Sequence, residues 1–312
     1  MARFRPNKYV VRHVMSLLVI LLAAVIGVLL YFNERDVRQQ EHFVGDSRAA
    51  NGVYVDTSVQ KVDPVARELT LRVLVLPQGS LRENGDPYTP AVDLRVETSS
   101  LIRGTLDFKA GRQVSYEDVK VSLDGGSVSD YPFDRYSTII GFAAEAGGKE
   151  VPVSLSLRDV DAFFKPTVVS RSQDHGFVAF EVRVSRSRAT FILAWFMMFI
   201  MWGLALAVLG ATWVIVDQRR GLVWPAMAWM AATLFALAGF RNAAPGGPPV
   251  GCLLDYAAFL WAEAIISACL VAVAVTGIIT ETRHRGDEAP EVHADHHTDA
   301  HAAGDAGDGG GH

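Results

Sequence analysis

The sequence predicts a mixed membrane protein: an N-terminal signal-anchor helix, an extracytoplasmic antiparallel β-sandwich, and then three transmembrane α-helices. Three observations predict this fold class: four apolar runs of bilayer length, a central stretch of alternating hydrophobicity, and basic residues at alternate ends of the runs. Hydrophobic residues make up 50% of the 312 and are concentrated in those runs. This distribution excludes an ordinary cytosolic protein.

The first apolar run covers residues 14–32 and holds 19 residues without a charge. As a helix it extends about 28 Å, close to the thickness of the hydrocarbon core of a bilayer. Residues 1–13 carry four lysine or arginine residues, and no small-x-small cleavage site ends the run. These features predict an uncleaved signal anchor behind a cytoplasmic basic tail, and a cleaved signal peptide is the alternative.

The central stretch, residues 33–188, has a nearly balanced charge of 20 basic and 23 acidic residues. Apolar and polar residues alternate along it, most clearly at 68–75, as half-buried strands require. Turn signals such as Asn84-Gly85-Asp86-Pro87 separate about seven such segments. The pattern predicts an antiparallel sandwich, which burial alone must stabilise because the stretch has no cysteine.

Three further apolar runs follow, at 189–216, 222–240 and 257–280. The run at 189–216 would extend about 42 Å as a helix, so it must tilt or project beyond the bilayer. Small residues recur at four-residue spacing in all the runs. This spacing predicts helices that pack closely as one bundle, and an alanine-rich composition is the alternative explanation.

Basic residues predict the orientation of the runs. They precede the run at 14–32, they separate the runs at 189–216 and 222–240, and they follow the run at 257–280. The positive-inside rule then places both termini in the cytoplasm and residues 33–188 outside it, in a multi-pass protein of the cell membrane. Three arginines depart from this rule beside the run at 189–216, as long translocated domains allow: Arg183, Arg186 and Arg188.

One segment of the central stretch combines aromatic rings, a proline and a charged pair: Tyr131, Pro132, Phe133, Asp134, Arg135 and Tyr136. Pro132 biases Tyr131 toward extended geometry, and the flanking rings suit burial against a sheet. Two interpretations are open. The segment is either a structural corner that closes the sandwich or a loop at the membrane-facing end that couples the sandwich to the helices.

Residues 241–256 form a short outer loop rich in proline and glycine, which forbids a helix and favours a preformed backbone. Arg241 and Asp255 flank this loop and are able to pair across it. Helical spacing places Asp255 and Glu263 on one face. The candidate binding residues of this region are Arg241, Asn242, Pro248, Pro249, Asp255 and Glu263.

Glu263 has three open interpretations. It is an interface carboxylate paired with Arg241, a member of a proton-titrating or ligand-coordinating site with Arg241 and Asp255, or a contact for a partner helix. Its position within a turn or two of the outer interface lowers the cost of its charge relative to the centre of a bilayer.

At these two segments the sequence resembles an uncharacterised bacterial family of multi-pass membrane proteins, catalogued as domain of unknown function 4436. The resemblance extends to about residue 285. It implies a membrane location and implies no activity, cofactor or catalytic residue. It rests on Tyr-Pro-Phe-Asp-Arg-Tyr at 131–136 and on a second pattern of Arg241-Asn242, Pro245-Gly246, Pro248-Pro249, Gly251, Asp255 and Trp261-Ala262-Glu263.

Residues 281–312 are predicted to be a cytoplasmic, acidic, His-rich disordered tail. From Gly286 onward the chain has seven acidic residues and no lysine or arginine, a composition that favours a solvated chain. We expect neither a cofactor nor an ordered metal site. The weak candidate metal ligands are His293, His296, His297 and His301.

The motifs and the charge leave three classes of function open. No Gly-x-Ser-x-Gly, P-loop, His-Glu-x-x-His or Cys-x-x-Cys motif is present. The sequence therefore favours a non-enzymatic function over an enzymatic one. The net charge of −5 argues against a nucleic-acid partner. The leading hypothesis is a non-enzymatic cell-envelope protein for binding or assembly, whose partners are the lipid bilayer and a second protein or a second copy of the chain.

The alternatives to this hypothesis use the residues around the outer loop. A transporter or channel would line a path with Arg241, Asp255 and Glu263. A membrane enzyme acting on a lipid or cell-wall substrate would use Asp255 and Glu263 as its acid pair. Their separation of about 12 Å along a helix is long for such a pair.

Overall fold

The computed structural model describes residues 8–38, 41–45, 51–174, 176–218 and 223–287. Most of the predicted His-rich tail, with its four candidate metal ligands His293, His296, His297 and His301, lies outside these residues. The described chain has four α-helices, namely α1 (Lys8–Arg38), α2 (Arg188–Asp217), α3 (Trp224–Asn242) and α4 (Leu260–Asp287).

Eleven described strands lie between α1 and α2: β1 (His42–Gly45), β2 (Val53–Asp63), β3 (Glu68–Pro77), β4 (Leu94–Thr98), β5 (Thr105–Phe108), β6 (Glu117–Ser122), β7 (Arg135–Ala146), β8 (Lys149–Val151), β9 (Val153–Asp159), β10 (Phe164–Asp174) and β11 (Phe177–Arg186). They form a five-stranded sheet in the order β1-β9-β2-β3-β6 and a six-stranded sheet in the order β10-β11-β7-β4-β5, with β8 beside β7. The two sheets enclose one hydrophobic core. The chain therefore contains a sandwich-like domain followed by helices, as the sequence predicts.

The alternation of the sequence sets which side chains of each strand are buried. In β2, Val53, Val55 and Val59 are fully buried, while Tyr54 and Asp56 are only partly so. Successive side chains of a strand point to opposite faces, so the valines meet the opposing sheet. Burial of these apolar side chains stabilises the sandwich, in which no described residue is a cysteine.

The prediction of a purely antiparallel sandwich is wrong at one pair of strands. β2 and β9 run parallel, with Val53 opposite Val153 and Val59 opposite Asp159. The other described strand pairs are antiparallel. β9 returns from the six-stranded sheet and enters between β1 and β2, so a long crossover fixes its direction instead of a hairpin.

The helices have a core of their own, to which α2, α3 and α4 contribute Met201, Leu237 and Ile266. No described residue of α1 belongs to this core, and the described side chains of residues 14–32 are all exposed. The expected single bundle is therefore found for α2, α3 and α4, whereas α1 contacts α2 without contributing a described residue to their core.

The small-residue stripes do not form the helix contacts that their spacing predicts. Their members on α2, α3 and α4 lie mainly on the outer faces of the bundle, and larger side chains such as Met197 and Val273 fill its core. The exposed members include Gly203, Ala207, Ala228, Ala232, Ala236, Ala264, Ala268 and Ala272.

Two described helical segments are long and apolar enough to cross a bilayer: Arg188–Asp217 and Asp255–Arg283. Of the three such segments that the sequence predicts after the sandwich, the described residues contain two, because α3 has a lower mean hydropathy than α2 and α4. Pro225 and two tryptophans reduce it within the helix, and Arg241 reduces it at the end. In α1 the described apolar stretch is Ala24–Asn33, which is shorter than a span.

Candidate functional site

A single residue connects the sandwich to the helices. β11 ends at Arg186, α2 begins at Arg188, and the Ser187 side chain between them accepts a hydrogen bond from the Thr190 backbone N–H at 3.2 Å. The Thr190 hydroxyl donates to the Phe163 carbonyl at 3.2 Å. These bonds cap α2 and fasten its first turn to the segment that leads into β10, so no flexible linker separates the two parts.

Tyr131 leaves the sandwich and packs into the helical core, where it is fully buried. Its hydroxyl donates to the Pro245 carbonyl in the loop between α3 and α4 at 3.1 Å. Burial raises the pKa of Tyr131 to about 12, so the phenol is a neutral donor at pH 7. Tyr136, at the other end of the predicted aromatic segment, stays in the sandwich core. The segment thus joins the two cores.

A buried ion pair lies beside Tyr131. The Arg186 Nε donates to both carboxylate oxygens of Asp134, at 2.9 and 3.1 Å, and the two side chains are 2% and 0% exposed. The guanidinium lies 4.1 Å from the Phe164 ring centroid and 4.8 Å from that of Tyr131. Its Nη1 and Nη2 atoms are buried without a hydrogen-bond partner in the described part of the chain.

The sequence indicates Arg186 only as a charge near the run at 189–216 and does not predict this role. The available signal was its position, since Arg186 is the last residue of a strand and directly precedes an apolar helix. A charge at such a boundary is either solvated or paired. Its partner Asp134 lies 52 residues away in sequence, and spacing arguments do not connect residues so far apart.

A second buried ion pair closes the loop between α3 and α4. The Nε and Nη2 atoms of Arg241 donate to the two carboxylate oxygens of Asp255, both at 2.8 Å. The other Arg241 donors bind the carbonyls of Pro248 at 3.1 Å and Pro249 at 2.8 Å. Asp255 also accepts the Gly251 backbone N–H at 2.7 Å. A bidentate pair of this kind fixes the loop in one conformation.

A π-helical turn, Asp255–Phe259, follows the loop and leads into α4. The Trp202 indole of α2 donates to the Ala257 carbonyl of this turn at 3.0 Å. π-Turns are rare and widen the helix locally, which changes the direction of the side chains that follow. The stretch between Asp255 and Glu263 therefore departs from the regular helical spacing on which their predicted common face rests.

The structure brings together four of the six predicted binding residues of this region: Arg241, Pro248, Pro249 and Asp255. Glu263 is partly buried and Asn242 is exposed, and neither joins the cluster. The donors of Arg241 bind Asp255 and two loop carbonyls, and no described hydrogen bond joins Glu263 to them, so the role predicted for these three residues together stays a prediction. The carboxylate oxygens of Asp255 accept hydrogen bonds from Arg241 and from the Gly251 backbone, so Asp255 holds the loop in place.

Cys252 and Cys269 are buried and free. Burial raises the pKa of the Cys252 thiol, which is therefore protonated at pH 7 and a poor nucleophile. Within the described residues, no group of three His, Cys, Asp or Glu side chains is placed to hold a metal ion.

We predict that Gly246→Ala lowers the thermal midpoint more than Gly247→Ala. Both glycines have positive φ, at 76° and 52°, so both substitutions strain the backbone. Only at Gly246 does an added Cβ collide with Arg186 Nη1, whereas nothing lies near the Cβ of Gly247. We expect an extra cost of about 1–2 kcal/mol at Gly246. Equal midpoints of the two purified variants would contradict this packing of the loop on Arg186.

The fold and the junction define a two-part protein, a β-sandwich joined without a linker to a bundle of three helices. Residues 43–185 match the model of a domain of unknown function (DUF4436), and residues 186–280 match that of a second domain of unknown function (DUF8686). The boundary between the two matches falls at Arg186, where the last strand ends. No curated protein matches the chain.

These matches confirm one part of the predicted resemblance and correct another. The sandwich, which contains the Tyr131–Tyr136 segment, matches the family that the sequence resembles. The resemblance does not extend to residue 285, because the Arg241–Glu263 pattern lies in the range of the second model. The contacts of Tyr131 with the helices join the two matched regions across this boundary.

Proposed function

We propose that the chain is a multi-pass protein of the cell membrane, whose sandwich lies outside the cytoplasm and takes part in binding or assembly in the cell envelope. The length and hydropathy of Arg188–Asp217 and Asp255–Arg283 support two spans. α3 packs with them in one core, and its terminal Arg241 is paired in the loop, which favours a third span. In this proposal α1 is the signal anchor.

The observation that carries the proposal is the shared core at the junction. Tyr131 is buried among the helices, while its neighbour Tyr136 is buried in the sandwich. The Arg186–Asp134 ion pair fixes the sandwich residues next to Tyr131. The Arg241–Asp255 ion pair fixes the α3–α4 loop that Tyr131 contacts. A sandwich held in this way presents its outer surface in a fixed orientation relative to the bilayer, as a binding or assembly module requires.

Assembly with another membrane protein or with a second copy is supported by the outer faces of the bundle. Ala264, Ala268 and Ala272 of α4 are exposed at four-residue spacing, and Gly203 and Ala207 of α2 are exposed as well. Small residues let helix backbones approach closely inside a membrane. Transport and wall or lipid chemistry are less well supported, because Arg241 and Asp255 are occupied in closing the loop.

The orientation is tested by labelling intact cells with a membrane-impermeant maleimide. Lys149→Cys, at an exposed position in the sandwich, is expected to react in intact cells. Gln218→Cys, exposed at the end of α2, is expected to react only after permeabilisation. The unsubstituted chain is the background control, since Cys252 and Cys269 are buried. Protection of Lys149→Cys in intact cells would overturn the proposed orientation.

The assembly role is tested by crosslinking in membranes. A lysine-reactive reagent is expected to trap a second copy or a stoichiometric partner, which is then resolved by gel electrophoresis and identified by mass spectrometry. Recovery of the chain as a monomer without a partner, in membranes where the orientation has been verified, would overturn the assembly role and leave the orientation standing.

A further inference from the structure

We propose that a basic cleft at the junction binds the phosphate group of an anionic phospholipid, a proposal that rests on the membrane location proposed above. The cleft has a volume of about 420 Å³ and lies between the start of β7, the paired strands β10 and β11, and the first turn of α2. Five basic side chains line it: Arg135, Lys165, Arg183, Arg186 and Arg188.

The charge of this cleft is not balanced by the chain. Asp134 is the one acidic residue among those that line the cleft, and it is already bound by Arg186 and by the Tyr136 hydroxyl. Arg183 and Arg188 are exposed and form no ion pair in the described part of the chain. A concave surface with clustered positive charge attracts anions and stabilises them when they bind.

Arg186 lines the cleft, but its own side chain is buried. That side chain is 2% exposed, and Asp134 holds it through Nε alone. The Nη1 and Nη2 atoms are shielded from solvent, and Nη1 packs against Gly246, so they do not reach an anion in the cleft. The exposed guanidinium groups of Arg183 and Arg188 are the ones that meet the anion, and their planar fork matches the oxygens of a phosphate.

An aromatic ridge beside the cleft is complementary to an apolar part of the proposed ligand. Phe133 and Phe191 line the cleft. Trp195 lies one turn beyond Phe191 on α2. The Phe133 ring centroid is 5.3 Å from that of Phe191 and 6.5 Å from that of Trp195. Phe133 is 43% exposed and Trp195 is 51% exposed, so the ridge presents open apolar surface.

The cleft and the ridge together favour a lipid over a free anion. A basic surface that continues into exposed aromatic rings matches a molecule with an anionic head and an apolar tail, and aromatic rings of this kind are typical of the level of lipid headgroups. The cleft also gives a role to Arg183 and Arg188, two of the three arginines that depart from the positive-inside rule. Both are exposed at the cleft, where a bound phosphate would meet their charge.

The test measures lipid binding to the purified full-length chain in detergent by native mass spectrometry. The probes are phosphatidylglycerol, which is anionic, and phosphatidylcholine, which is zwitterionic. We expect the chain to retain phosphatidylglycerol preferentially. The double substitution Arg183→Gln and Arg188→Gln is expected to weaken this retention about tenfold, because two charged contacts are lost. Both positions are exposed, so the fold is expected to persist.

The matched control is the double substitution Arg72→Gln and Arg95→Gln, which removes two exposed arginines from strands outside the cleft. It is expected to retain the lipid like the unsubstituted chain. Equal retention of the two lipids, or undiminished retention by the Arg183/Arg188 variant, would overturn the inference. Displacement of the lipid by millimolar inorganic phosphate would identify a free-anion site instead and would also overturn it.

This experiment separates the failure of the two proposals. Binding by the purified chain does not depend on which side of the membrane the sandwich occupies. If maleimide labelling places the sandwich in the cytoplasm, the proposed orientation fails while a lipid result still stands on its own. If the orientation holds and the two lipids bind equally, the lipid inference fails alone.

Discussion

Asp255→Asn is expected to lower the free energy of unfolding by about 3 kcal/mol, because it leaves the Arg241 guanidinium buried without its counter-charge. Arg241 and Asp255 are 7% and 2% exposed, so solvent screens the change little. An asparagine keeps one carbonyl oxygen for the Gly251 backbone N–H. The substitution therefore removes the charge and replaces one of the two hydrogen bonds from Arg241 by a contact between two donors. Thermal unfolding in detergent, followed by circular dichroism, measures the effect.

Glu263→Gln is the matched control for this prediction. Glu263 lies on α4, is partly buried, and has no part in the Arg241 cluster. Its substitution is expected to change the free energy of unfolding by no more than about 0.5 kcal/mol. If Glu263→Gln destabilised the chain as much as Asp255→Asn, Glu263 would be a member of the charged cluster after all, and the geometry described here would be wrong.

Tyr131→Ala is expected to cost about 3–4 kcal/mol and to separate the unfolding of the sandwich from that of the helices. Tyr131 is the sandwich residue buried in the helical core, so its removal leaves a cavity where the two parts meet. Differential scanning calorimetry should resolve two transitions in the variant where the unsubstituted chain has one. Limited proteolysis should then cut first near the junction.

Two further substitutions separate the contribution of the Tyr131 hydroxyl from that of a neighbouring ring. Tyr131→Phe removes only the hydrogen bond to the Pro245 carbonyl and is expected to cost about 1 kcal/mol. Phe133→Ala truncates a neighbouring ring that is 43% exposed and is expected to keep a single transition. A single transition at the unsubstituted temperature in Tyr131→Ala would show that Tyr131 does not couple the two parts.

The parts of the fold that follow from local pattern were predictable from the sequence. Alternation along β2 and β3 marks strands because a pleated strand exposes every second side chain. Long apolar runs mark α2 and α4 because a helix of that composition must be buried in protein or lipid. The Arg241–Asp255 contact was within reach because the two residues flank one short loop.

The parts that depend on distant contacts were not predictable in the same way. The parallel pairing of β2 with β9 depends on the path of the chain through the second sheet, which alternation does not record. The Arg186–Asp134 pair joins residues 52 positions apart. The prediction that Asp255 and Glu263 share a face assumed regular helical spacing, whereas a π-turn, which the sequence pattern does not record, lies between them.

The one-residue connection at Ser187 has a mechanical consequence. Since β11 and α2 are fastened on both sides of this residue, the sandwich has no hinge about which to swing while α2 stays still. A force applied to the outer edge of the sandwich is delivered as a torque on α2, and the Tyr131 contact transmits part of it to the α3–α4 loop. A rotation of the sandwich is thus expected to rotate the helix bundle with it.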